Sequence, residues 1–164
     1  MLPVPDLLKH INTLLTEAYA GPPDPRATWF IDNEPDSGIL GILKGVTAQE
    51  ASLSVDGSGK PGTTIAANAE HLRWSLANTN AALRGEVFNS QWSESWLLQG
   101  ADEAGWDRLR NSLRSEFETL LAALQGVRNF PEDNYLTGVL ALLPHAAYHL
   151  GTLRQMIERV REKS

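Results

Sequence analysis

Apolar residues recur along most of this chain at spacings of three and four, the period of a helix that buries one face. Four long segments carry the pattern. The first runs from about Pro5 to Ala20, with Leu7, Leu8, Ile11, Leu14, Leu15 and Ala18 in register, and Gly21 with Pro22-Pro23 stops it. The second runs from about Thr64 to Gly85 on Ile65, Ala69, Leu72, Leu76 and Leu83, with Glu70, Arg73, Asn80 and Arg84 on a solvated side. The third, from about Asp102 to Gln125, has Asp102 placed to cap it and Trp106, Leu109, Leu113, Phe117, Leu120 and Leu124 as its core face. The fourth, from about Tyr135 to Glu162, is capped by Asp133 or Asn134 and builds on Leu136, Val139, Leu140, Leu143, Ala147, Leu150, Ile157 and Val160. Pro144 falls inside this last pattern, removes a backbone donor there, and predicts a kink.

The connections are as informative as the helices. Residues 21–36 form a loop with Trp29, Phe30 and Ile31 as an apolar plug. A shorter helix is expected from Ser37 to Ala51, weakened or closely packed at Gly38, Gly41 and Gly45. Ser54 to Thr64, SVDGSGKPGTT, has the composition of a mobile loop. Residues 86–101 carry Phe88, Trp92, Trp96, Leu97 and Leu98, which should cover one end of the core or rim a pocket. No segment alternates like a strand. Four single-striped helices bury their stripes most simply as one all-α domain over residues 1–164, a four-helix bundle with one additional short helix and long connecting loops.

Composition narrows the function. A net charge of −6 provides no basic field for a phosphate backbone, which argues against nucleic-acid partners. The absence of cysteine removes disulfides, zinc–thiolate sites and cysteine nucleophiles, and it suits the cytosol. The first residues, MLPVPDLLKHINTLL, lack the pattern of a secretory leader, and no apolar run approaches the roughly 20 residues that span a bilayer. A cytoplasmic protein without a membrane partner is expected.

The candidate chemistry lies in the last helix. His145 and His149 stand four residues apart, on one helical face, where two imidazoles can meet one metal ion. His71 sits at the edge of the second helix's stripe, beside Asn68, Ser75 and Asn78, and Trp74 is one turn away. If both flanks face one groove, three imidazoles converge and leave a fourth position open, an arrangement that suits zinc or nickel rather than calcium or magnesium. The alternative is three core-edge histidines satisfied by their neighbours. Ala146 stands where a metalloprotease HExxH motif has its glutamate base. Glu70 adjoins His71 but points roughly 100° away, so no general base is evident. Arg154 is either a surface arginine or a clamp for an anionic substrate group.

The order of these features resembles the DinB/YfiT-like superfamily of small bacterial proteins. The resemblance rests on AEHLRWSL in the second helix, QWSESW and GWDRL in the middle, and HAAYHLGTLRQ in the last, whose specific part is His145, His149, Gly151 and Gln155. It implies a four-helix bundle in which His71, His145 and His149 bind a divalent metal, zinc or nickel. Some members of the family are metal-dependent thiol transferases using thiols such as bacillithiol or mycothiol, and others are assigned as hydrolases. The resemblance thus implies a low-molecular-weight thiol and a small electrophilic or apolar substrate as partners, and a homodimer. Thiol transfer is favoured over hydrolysis because the base is missing. The alternative is a non-catalytic stress-response bundle that binds a metal or small ligand.

Overall fold

The computed structural model describes residues 4–87, 91–130 and 133–163. The expected core residue Phe88 lies outside them, as does the side chain of the expected cap Asp133. The described residues are all-helical, without strands: α1 (Val4–Ala20), α2 (Ile39–Lys44), α3 (Ala48–Ser52), α4 (Ile65–Leu83), a 3₁₀ turn (Trp92–Trp96), α5 (Glu103–Gly126) and α6 (Asp133–Arg161). None of these helices is long and apolar enough to cross a membrane.

The four long helices pack in a ring. α1 lies against α5 and α6, and α4 lies against the same two, so α1 and α4 face each other across the core. α1, α4 and α5 turn their three-and-four stripes inward. Trp106, Leu109, Leu113, Phe117, Leu120 and Leu124 of α5 are all buried, as the periodicity requires. Asp102 caps that helix by accepting from the Gly105 N–H at 2.7 Å. Thr64 does the same for α4 through the Ala67 N–H. Side-chain caps satisfy amides that the first helical turn leaves without partners.

Four expectations are corrected. The helix expected over Ser37–Ala51 is two, α2 and α3, broken at Gly45. Thr47 restarts the chain with a capping box to Glu50. On α6 the buried face runs through Val139, Leu142, Ala146, Leu150, Leu153 and Met156, whereas Leu140 is exposed. The segment VLALLP offers leucines on every side, so spacing alone does not fix its phase. Pro144 lies inside α6, where the sequence pattern puts it. Asn80 is buried, because its amide donates to the backbone carbonyl and the carboxylate of Glu116 on α5. The plug in the first loop is Ile31 alone; Trp29 and Phe30 are exposed.

That loop is nevertheless pinned. The buried Glu17 carboxylate of α1 accepts from the N–H groups of Trp29, Phe30 and Ile31 at 2.8–3.2 Å. Arg154 of α6 pairs with Asp32 and donates to the Ser37 carbonyl at 2.8 Å. Gly38 lets the loop close, since a Cβ there would lie 2.7 Å from the Tyr19 carbonyl oxygen. These ties hold residues 29–38 against α1 and α6.

Candidate metal centre

Three elements bring the histidines together. α4 supplies His71, α6 supplies His145 and His149, and the 3₁₀ turn closes over His71. The ring centroids form a nearly equilateral triangle, with sides of 5.0, 5.0 and 4.7 Å. One ligand nitrogen from each residue lies within 4.8 Å of the others. His71 and His149 are buried and His145 is partly buried. Among the described residues this is the one such cluster, and it contains no carboxylate.

The partners of two rings fix their tautomers. The Ser95 hydroxyl donates to the Trp92 carbonyl at 2.7 Å, so at 2.8 Å it accepts from Nδ1–H of His71. The Asn68 amide nitrogen donates to the carbonyls of Gly62 and Thr64, both at 2.9 Å. Its oxygen is thereby turned to accept from Nδ1–H of His149 at 3.0 Å. Both imidazoles therefore carry their lone pair on Nε2. Nε2 of His71 lies 2.9 Å from Nε2 of His145. Two nitrogens so close need a proton or a cation between them.

Electrostatics point the same way. Burial, reinforced by the charges of His145 and His149, pushes the pKa of His71 down to about 3. Burial and then His145 push His149 down to about 4. Burial also lowers His145. Three imidazoles neutral at pH 7 are competent ligands, since a protonated ring has no lone pair to give. The donor set, three nitrogens with outer hydrogen bonds holding two of them, fits a borderline divalent ion such as zinc or nickel.

Aromatic walls complete the site. Trp96 stacks on His71 at 4.0 Å between centroids, and Trp92 meets it edge-on at 4.5 Å. Trp74 lies at 6.5 Å. Tyr148 stands edge-on to His149 at 5.1 Å and is largely exposed, as Trp92 is. From the connection expected to cover the core or rim a pocket, Trp92 and Trp96 thus wall the histidines and Leu98 packs on the core, whereas Leu97 is exposed. Of the other residues named from sequence, Asn68 touches the site directly. Asn78 lines a separate cavity of about 310 Å³ with Thr79, Tyr135 and Val139. Ser75 lies one turn beyond His71 on α4, where its carbonyl accepts from Thr79. Arg154 is turned to the first loop. Glu70 pairs with Arg73 at 2.6 Å and stays out of the cluster. Ser95 was not foreseen. Its only sequence signal is its place inside W-S-E-S-W, which a lone serine does not distinguish.

No family model, curated protein or solved structure matches this chain. Its chemistry therefore rests on its own geometry. Removing an outer hydrogen bond lets a ligand ring turn, so Asn68→Ala and Ser95→Ala are each expected to weaken zinc binding about 10–100-fold. Competition against a chromophoric chelator measures this directly; wild-type affinity in both variants would show that these contacts do not hold the rings for a metal.

Proposed function

We propose that this chain is a divalent-metal-dependent protein of the DinB/YfiT type, built on a four-helix bundle, that transfers a low-molecular-weight thiol to a small electrophile. The observation that carries the reading is the convergence of three neutral imidazoles, with Ser95 and Asn68 aiming the Nε2 atoms of His71 and His149 inward. His71, His145 and His149 would hold the ion. When bound, it supplies positive charge and an open coordination position that lower the pKa of a thiol such as bacillithiol or mycothiol.

The chain's own groups divide the remaining work. Trp96 and Trp92 shield His71 from water and keep the ring in place. The exposed faces of Trp92 and Tyr148 form an apolar rim on which a small electrophile can lie. Thiol transfer is favoured over hydrolysis by the lack of a carboxylate in the cluster. A thiol has an ordinary pKa near about 8.5 and supplies a strong nucleophile without a dedicated base.

The test is conjugation of bacillithiol, mycothiol or glutathione to 1-chloro-2,4-dinitrobenzene. A carbon–sulfur bond forms, chloride leaves, and the thiol proton passes to solvent. Zinc- or nickel-loaded protein is expected to accelerate this reaction, and chelated protein or His149→Ala is expected to match the uncatalysed rate. If loaded protein is inert with every thiol, or chelation changes nothing, the transferase reading fails and the non-catalytic bundle takes its place.

A further inference from the structure

We propose that the cavity beside His149, between α6 and the loop that leads into α4, binds the carboxylate of a small organic acid. The cavity measures about 440 Å³, and its walls include Gly62, Gly151, Thr152, Gln155, Met156 and Arg159. The proposal gives a substrate class to the site above and rests on that reading for its functional meaning; the binding itself stands on four observations.

The first is continuity. His145, His149, Thr152, Met156 and Arg159 follow one another by four, three, four and three residues, so they share one face of α6. Thr152 lies within one turn of His149. Arg159 is farther along the axis, but helical side chains lean toward the N-terminus, which brings its head back toward Gln155 and Thr152. A small molecule in this cavity is therefore a neighbour of the histidine cluster.

The second is Gly151. Glycine weakens a helix interior, yet no atom lies within 4 Å of the place where a Cβ would sit. Packing does not require glycine here. What its bareness does is leave the cavity open. The histidine cluster uses neither Gly151 nor Gln155.

The third is charge. Among the described residues Arg159 makes no hydrogen bond or ion pair, in contrast to Arg154 and Arg161 of the same helix. Lys163 donates to the carbonyl of Val55, another wall residue. Arg159 is therefore the cation in the cavity wall, with Lys163 spent on a wall carbonyl, in a chain whose net charge is −6. An opposing charge is close by: the Glu158 carboxylate accepts from the Gln155 amide nitrogen at 3.4 Å. The Thr152 and Thr63 hydroxyls already donate to the Tyr148 and Lys60 carbonyls. The donors left for a ligand are the Arg159 guanidinium and the second N–H of the Gln155 amide, whose other N–H faces Glu158. A planar fork of N–H groups matches a planar carboxylate in two parallel hydrogen bonds.

The fourth is a shared wall. The Asn68 amide nitrogen, whose oxygen orients His149, donates to the Gly62 carbonyl and approaches the Met156 sulfur at 3.4 Å. Both acceptors line the cavity. Gly62 has a φ of 81° and a Cβ there would sit 3.3 Å from the Trp96 ring, so this wall is built without side-chain bulk.

The experiment is a titration of the whole chain with succinate and with its neutral isostere succinamide. It is followed by ¹⁵N–¹H NMR at the amides of Gly62, Gly151 and Thr152. Succinate is expected to give saturable shifts with a dissociation constant on the order of 1–10 mM, and succinamide none. Arg159→Gln removes the charge, and Gly151→Leu fills the cavity while favouring the helix. Each should weaken succinate at least about tenfold, with the remaining spectrum unchanged as a check on folding. No saturation by about 50 mM succinate, equal shifts with succinamide, or wild-type affinity in either variant would overturn the proposal. Metal content of the same samples separates the two readings. Carboxylate binding without metal leaves this cavity standing and removes the metal centre; metal without carboxylate binding does the reverse.

Discussion

Replacing His71 with alanine is expected to take the protein from about one bound zinc or nickel per chain to background. His145 and His149 are adjacent on one helix, but two imidazoles make an incomplete site. His71 supplies the third nitrogen from another helix, 2.9 Å from that of His145. Its loss should cost more than the 10–100-fold in affinity that follows loss of an outer partner. Thermal melting gives a second readout. An ion present at about a thousand times its dissociation constant stabilises the fold by about 4 kcal/mol. In a chain of this size that raises Tm by about 8–16 °C. The wild type should show this shift and His71→Ala should not. Truncation also opens space under Trp96, so the metal-free variant melts lower for reasons of packing. The shift on adding zinc, measured within each protein, removes that effect. An undiminished shift in His71→Ala would mean that any ion sits elsewhere.

Metal-free protein is expected to lose stability between about pH 6.5 and pH 4, on the order of 5 kcal/mol in total. The unfolded histidines titrate near 6.5. In the fold, burial and then the neighbouring imidazole charges hold His71 near about 3 and His149 near about 4. As pH falls through 6.5 the unfolded chain takes up protons that the fold refuses, so the stability present above 6.5 declines. Each histidine contributes a slope of up to about 1.4 kcal/mol per pH unit, and the decline levels off as the folded rings themselves charge. The carboxylates of Glu50 and Asp56 are held low by hydrogen bonds, Asp56 at about 2, so their contributions fall away at lower pH. Urea denaturation in the presence of a chelator, at steps from about pH 7 to about pH 4, measures the slope. His71→Gln should flatten it by about one proton. An unchanged slope in that variant would show that His71 is not the buried neutral group described above.

The long helices were legible because burying one face imposes a period, and α1, α4 and α5 are periodic throughout. Asp102 and Gly126 mark the limits of α5 as clearly as Trp106 and Leu124 mark its core. The phase of α6 was not legible around Leu140 and Leu142, where leucines are too frequent to choose a side. Gly45 shows a similar limit: the break that ends the six-residue α2 is decided by the Thr47 capping box as much as by the glycine. The polar interior was hidden for a different reason. Asn80 and Glu17 carry the signature of surface residues, and only their partners, Glu116 and the N–H groups of residues 29–31, make burial tolerable. Those partners are distant in sequence. At the candidate centre, His71, His145, His149 and Asn68 could be named from spacing and from the family resemblance. Ser95 could not, because the hydrogen bond that gives it a role exists only when the 3₁₀ turn lies on α4.

The separation of 74 positions between His71 and His145 also sets a timetable. Chains are made at about 5–20 residues per second, so His71 waits several seconds before its partners exist. The half-site that then appears is local: His145 and His149 need only one turn of α6 to stand side by side. The centre can therefore be completed only once α6 has been made, by the docking of a helix that already carries two ligands onto one that carries the third. Metal acquisition would report the docking of α6, and a chain that stalls before α6 docks would remain unloaded however much metal surrounds it.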